Sequence, residues 1–184
     1  MKFIFKRSNN ISKEEILNVI KQDQFFLDGK IKFINYNAKQ LAKPDWDLVG
    51  VDENKHSVFI LIKTRYYDQL LFEIFNLFEW TINNLKIIEQ LFPQNKIDPG
   101  LQSRIIIVAP LYSAAFKNII SHCTKLNVEL FSYTGLENEE GKGILIEKEK
   151  NDRNGNKPDI NKNLVYHSKS LEQLTDDEIN EFYK

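Results

Sequence analysis

The stretch Ser57-Val-Phe-Ile-Leu-Ile62 constrains the fold of this chain more than any other. It is an almost unbroken β-rich apolar run closed by Lys63. A run with no polar alternation has no face to offer to water, so it reads as a buried strand at the centre of a sheet. The turn cluster Asp52-Glu53-Asn54-Lys55 precedes it, and Trp46 to Val51 reads as the strand before that turn. Lys30 to Asn37, entered from an Asp28-Gly29 turn, supplies an earlier strand, so three strands form a meander. Upstream, Ser12 caps a helix running to about Asp23, with Ile16, Leu17 and Ile20 at helical spacing and Glu14 and Glu15 in the favourable first turn.

Beyond Lys63 the period changes. From about Asp68 to Phe92 the pattern predicts one long helix whose main apolar stripe is Leu71, Ile74, Phe75, Phe78, Ile82 and Leu85. A second stripe, Leu70, Leu77, Trp80, Ile88 and Leu91, widens the buried face. Pro93 and the Asp98-Pro99-Gly100 turn end this element. Arg104 to Ala109 then reads as a strand, Ser113 to Lys125 as a helix and Asn127 to Tyr133 as a strand, a β-α-β crossover that predicts parallel strands with a right-handed connection. Gly143 to Glu149 reads as an extra strand and polar Lys150 to Asn163 as a loop. Thr175 with Glu178 forms a capping box for a last helix to about Tyr183. The expected organisation is an α/β domain over residues 1–149, followed by a polar loop and short helix over 150–184.

Composition excludes several classes. A chain of 184 residues with 13 Phe and 7 Tyr can bury a sizeable core, which rules out wholesale disorder. Lys+Arg 25 against Asp+Glu 26 rules out a heavily basic nucleic-acid binder, while leaving room for a local basic groove. Cys123 is the single cysteine, so no disulfide framework forms within the chain, which fits a reducing compartment. Met1 to Arg7 is too short for the apolar part of a secretory signal, and no apolar run approaches the roughly 20 residues of a spanning helix. The expectation is a soluble, cytoplasmic protein with no membrane partner. His56, His122 and His167 lack zinc spacing, and Cys123 reads as a buried structural thiol in an apolar helix.

The informative window for chemistry is Pro44 to Lys63. Residues two apart on a strand share a face, so Asp47, Val49 and Val51 point one way, as do Phe59, Leu61 and Lys63 on the next strand. Asp47 and Lys63 are thus expected to meet at one end of a hairpin. A carboxylate and a lysine beside an open metal position suit phosphodiester hydrolysis: the carboxylate binds Mg²⁺, and the ammonium offsets charge on the scissile phosphate.

With those residues in view, the chain resembles the PD-(D/E)XK nuclease superfamily, and more narrowly NucS-type endonuclease-like domains, over about Ile11 to Tyr133. Glu14-Glu15-Ile16-Leu17 matches the E-x-x-L element of the early helix, and Asp47-Leu-Val-Gly-Val-Asp52 matches the DLLGVD-like second strand. Glu73 ahead of Phe78-Glu79-Trp80 stands near the family's helix element, and Arg104 to Pro110 matches the later strand. The resemblance implies a restriction-endonuclease-like αβββαβ core: a central mixed sheet flanked by helices, with a C-terminal extension.

One departure limits what carries over. The family's third strand ends E-L-K, whereas this one ends Leu61-Ile62-Lys63, so the second acidic metal ligand is missing from the strand. Superfamily members move this acid onto the following helix, and Glu73 lies there, within an apolar stripe that is an unusual place for an unpaired carboxylate. The resemblance therefore implies either a migrated catalytic site of Asp47, Lys63 and Glu73, with Asp47 and Glu73 holding Mg²⁺, or a degenerate domain that binds DNA without cutting it. Arg65, Tyr66 and Tyr67 are the candidate nucleic-acid contacts, although two tyrosines before a helix serve equally as a packing staple. Glu73 has its own bland reading as an ion-pair partner of Lys63 or Arg65. The alternative from a different class is a non-catalytic interaction or oligomerisation module, with the wide apolar face of the long helix supporting a homodimer.

Overall fold

The structure is a computed structural model that describes residues 6–8, 10–22, 30–34, 45–67, 69–91, 97–138, 141–149 and 163–167. Its elements run β1 (Lys6–Ser8), α1 (Lys13–Gln22), β2 (Lys32–Phe33), β3 (Leu48–Val51), β4 (Ser57–Ile62), α2 (Leu70–Asn83), α3 (Leu85–Leu91), β5 (Arg104–Ala109), α4 (Ala114–His122), β6 (Val128–Glu137), β7 (Lys142–Lys148) and β8 (Asn163–His167). Among the described residues the strands form one mixed sheet in the order β2-β3-β4-β5-β6-β7-β8, with β1 paired to β6. The fold is α/β and restriction-endonuclease-like, with the expected meander, crossover and flanking helices in place.

All six residues of β4 are buried, as its apolar run requires. The strand is antiparallel to β3 and parallel to β5, and β5 is in turn parallel to β6. Alternation then divides the core in two. Val58, Ile60 and Ile62 face a cluster completed by Ile16, Val19 and Ile20 of α1, whereas Phe59 and Leu61 face one completed by Leu70, Ile74 and Leu77 of α2. Long β6 pairs with β5 up to Ser132 and with β1 from Gly135 onward, so two strands share one of its edges.

Gly50 has a steric reason to be glycine. A Cβ there would come 2.6 Å from Ile31 Cγ2 and 2.9 Å from the Lys32 carbonyl oxygen, because β2 lies close against β3 where Phe33 pairs with Gly50. Below the sheet, Arg104 bridges strands: its guanidinium meets Asp52 at 2.9 Å and Glu129 at 2.6 Å, and Lys148 closes on Glu129 at 2.8 Å. Burial pushes the Asp52 carboxyl up, but Arg104 and the His56 amide and ring outweigh it and hold its pKa below the ordinary 3.8.

Several expectations need correction. The long helix is broken at Asn84 into α2 and α3. Asn84 Nδ2 donates to the Trp80 carbonyl at 2.8 Å, a local side-chain bond that competes with the helical ladder. The stripes also change places: Leu70, Leu77 and Ile88 are buried, while Phe75 and Ile82 of the expected main stripe are exposed. Cys123 is half-buried and caps the end of α4 rather than lying within it. β8 adds a strand that the sequence pattern did not predict. The last helix, expected from Thr175 to Tyr183, falls outside the described residues, as do residues 35–37 of the first strand and 150–162 of the expected loop, whose last residue, Asn163, opens β8. Among the described residues no helix is long and apolar enough to cross a membrane.

Candidate active site

The C-terminal end of β4 gathers the residues singled out above. Lys63 follows β4 directly, and its amide donates to the Val108 carbonyl of β5 at 2.8 Å, which fixes where its side chain departs. Trp46 packs on Phe59 and on Trp80 with ring centroids 5.0 and 4.9 Å apart. This aromatic wedge ties the start of β3 to α2 beneath the site.

Glu73 lies in the first turn of α2, where a carboxylate is favoured by the helix dipole. Its Oε2 lies 2.6 Å from Lys63 Nζ, and the Tyr67 hydroxyl donates to its Oε1. Lys63 Nζ also stands over the Tyr67 ring, 5.5 Å from the centroid. The three side chains thus close on one another. Burial pushes the Lys63 ammonium down, but contact with Glu73 and Tyr67 more than offsets it and holds the pKa above the ordinary 10.5. Burial together with the bond to Glu73 raises the Tyr67 phenol above its ordinary 10.0.

Asp47 does not form the expected pair with Lys63. Its Oδ1 meets Lys13 Nζ at 2.6 Å, and its Oδ2 accepts the Ile62 amide at 2.6 Å. The physical reason lies in the ladder: the Asp47 amide donates to the Ile60 carbonyl at 2.8 Å, so the carboxylate reaches the next free donor of β4, one residue short of Lys63. Two ion pairs therefore adjoin at this end, Lys13 with Asp47 from the α1 side and Lys63 with Glu73 from the α2 side. Lys13 was not among the residues singled out in the sequence. Its signal was a cation in the first turn of a helix, where the dipole disfavours it unless a carboxylate compensates.

Leu61, where the family has its strand acid, is fully buried in the core beneath α2. Glu15 exchanges bonds with Ser12, its Oε2 accepting the Ser12 amide at 2.7 Å, so it serves the helix start. The tyrosines expected at nucleic acid are half-buried with committed hydroxyls: Tyr67 on Glu73, and Tyr66 with Ser113 Oγ at 3.1 Å. Ser113 caps α4, accepting the Phe116 amide. Arg65 is exposed.

As a candidate metal centre, the site offers two carboxylates, the hard oxygen donors that Mg²⁺ takes. Glu73 Oε2 is shut away from water and meets the Lys63 ammonium, which already supplies it with a positive charge. Each carboxylate is already held by a lysine, Asp47 by Lys13 and Glu73 by Lys63, so a bound ion would have to share both with those ammonium groups. Among the described residues no cluster of three or more His, Cys, Asp or Glu side chains stands ready to hold a metal.

No protein-family model and no curated protein matches this sequence. Two solved structures are similar to it. A repair endonuclease from Pyrococcus abyssi is 21% identical with a TM-score of 0.43, the match covering 66% of this chain and 46% of that one. A complex of EndoMS with double-stranded DNA is 16% identical with a TM-score of 0.44, covering 66% of this chain and 44% of that one. This chain therefore corresponds to less than half the length of either.

Proposed function

We propose that this chain is a DNA-acting domain, a Mg²⁺-dependent phosphodiesterase of the endonuclease type whose second acidic ligand has moved from β4 onto α2. Asp47 and Glu73 hold the metal, and Lys63 offsets charge on the scissile phosphate. The reading is supported above all by one contact: Glu73, the acid expected to replace the missing strand glutamate, lies 2.6 Å from Lys63. Asp47 supports it from the neighbouring strand through the amide of Ile62, the residue before Lys63. Bound Mg²⁺ supplies charge neutralisation at the phosphate and a water acidified for attack. Tyr67 holds the Glu73 carboxylate in a fixed orientation, and exposed Arg65 is free to meet backbone phosphates.

The test is metal-dependent cleavage of labelled single-stranded, duplex and branched DNA in Mg²⁺ and Mn²⁺, alongside calorimetric titration of Mn²⁺ into the protein alone. Asp47→Asn and Glu73→Gln each keep a hydrogen-bond acceptor while removing charge, so loss of both cleavage and Mn²⁺ binding in these folded variants is the expected result. DNA binding without metal binding or cleavage would instead establish a degenerate domain. Failure to bind either would leave the interaction-module alternative.

A further inference from the structure

The two ion pairs at the end of β4 are not equivalent. The Lys63 side chain is 14% exposed; its backbone is bonded into β5, and its ammonium stands over the Tyr67 ring while it meets Glu73. The Lys13 side chain is 40% exposed and opens α1, and among the described residues Asp47 is the one carboxylate it meets. The start of a helix repels an ammonium rather than holding it. A pair this exposed contributes little to stability and opens readily into water. Withdrawing Lys63 would instead leave Glu73 Oε2 shut away without a counter-charge.

The two oxygens of Asp47 divide in the same sense. Oδ2 accepts the Ile62 amide and the Asp47 amide donates to the Ile60 carbonyl, so the carboxyl group keeps its place on the strand whether or not Lys13 is beside it. Among the described residues Oδ1 meets Lys13 alone. Swinging Lys13 aside therefore bares one oxygen on a fixed carboxylate, a donor of the kind that Mg²⁺ takes while keeping several of its waters. Resting on the metal-dependent reading above, we propose that Lys13 is a displaceable placeholder at the metal position. Its ammonium occupies Asp47 Oδ1 when no divalent ion is bound and leaves for solvent when one enters. Lys13 is thus a positioning residue, neither a ligand nor an acid or base, and it lowers the metal affinity of the site by competition. The native protein holds its metal more weakly than the same site without Lys13.

Calorimetric titration of Mn²⁺ into the full chain, without DNA and in about 0.15 M salt, tests this. Lys13→Met keeps the aliphatic stem and removes the ammonium, and it is expected to bind Mn²⁺ about fivefold or more tightly than wild type. Lys13→Gln, which keeps a donor for Asp47, should also bind more tightly and serves if the methionine variant does not fold. Lys21→Met is the control, because Lys21 is exposed on the same helix. It removes the same charge about 12 Å further along, beyond a screening length of about 8 Å, and should bind as wild type does. A wild type that binds Mn²⁺ as tightly as the Lys13 variants, or more tightly, overturns the proposal and leaves the metal reading intact. A gain in Lys21→Met equal to that in Lys13→Met overturns it too, as a general effect of net charge. Binding in the Lys13 variants but not in wild type supports the proposal in its strongest form. Absence of Mn²⁺ binding from wild type and both Lys13 variants overturns the metal reading and the proposal with it.

Discussion

Lys63 Nζ and Glu73 Oε2 meet at 2.6 Å, joining the end of a central strand to the first turn of the following helix. Glu73→Gln keeps an acceptor for the Tyr67 hydroxyl but leaves a largely buried ammonium without its counter-charge. The expected cost is about 1 kcal/mol, since the glutamate side retains some contact with water. Urea denaturation of both proteins reads it directly. Tyr67→Phe removes only the hydroxyl and should cost less than Glu73→Gln.

Placing an acid at position 61 of β4 is expected to fail. Leu61 is sealed within the core beneath α2, so Leu61→Glu places a carboxylate among Leu70, Ile74 and Leu77 with no donor to receive it. The variant should lose about 3 kcal/mol or more, or fold only with that acid protonated. Denaturant unfolding at pH 5 and pH 8 checks this: the deficit grows with pH, because a buried neutral acid favours the folded state only where the unfolded chain is also protonated.

The Asp52–Arg104 bond makes stability fall in acid. Because the folded-state pKa of Asp52 is below 3.8, its contribution is present in full above that value and is lost as pH falls through the folded pKa. Asp52→Asn should therefore be less stable than wild type by about 2 kcal/mol at pH 7, with the gap closing below pH 3.8. Thermal unfolding followed across that range decides the matter. A gap that stayed constant would show that the carboxylate acts through shape rather than charge.

Gly50→Ala adds one methyl where Ile31 and the Lys32 backbone already stand too close. Side chains can shift, but the carbonyl belongs to a paired strand, so the expected penalty is about 1–3 kcal/mol. Hydrogen exchange at Lys32 and Phe33 should rise together with it, because relief comes most easily by lifting β2 from β3.

Much of the scaffold was legible because β4 is apolar at every position after Ser57, which reads as a buried strand. The buried face of α2 was not, since Leu70, Leu71, Phe72, Ile74, Phe75, Leu77 and Phe78 surround the axis and periodicity has little contrast to work with. The polar residues carried the clearer signal: Asn76, Glu79 and Asn83 mark the solvent side at helical spacing. At the site, the approach of Glu73 to Lys63 followed from a carboxylate stranded in an apolar stripe. The diversion of Asp47 to Lys13 did not, because it depends on where α1 docks against the meander, a long-range relation that local pattern does not encode.

The bond from the Ile62 amide to Asp47 has an evolutionary corollary. A side chain that stands in for a strand carbonyl is kept by selection on folding, whatever chemistry the site performs. Folding alone would hold both acids in place, Asp47 through the Ile62 amide and Glu73 through the ammonium of Lys63 that it neutralises.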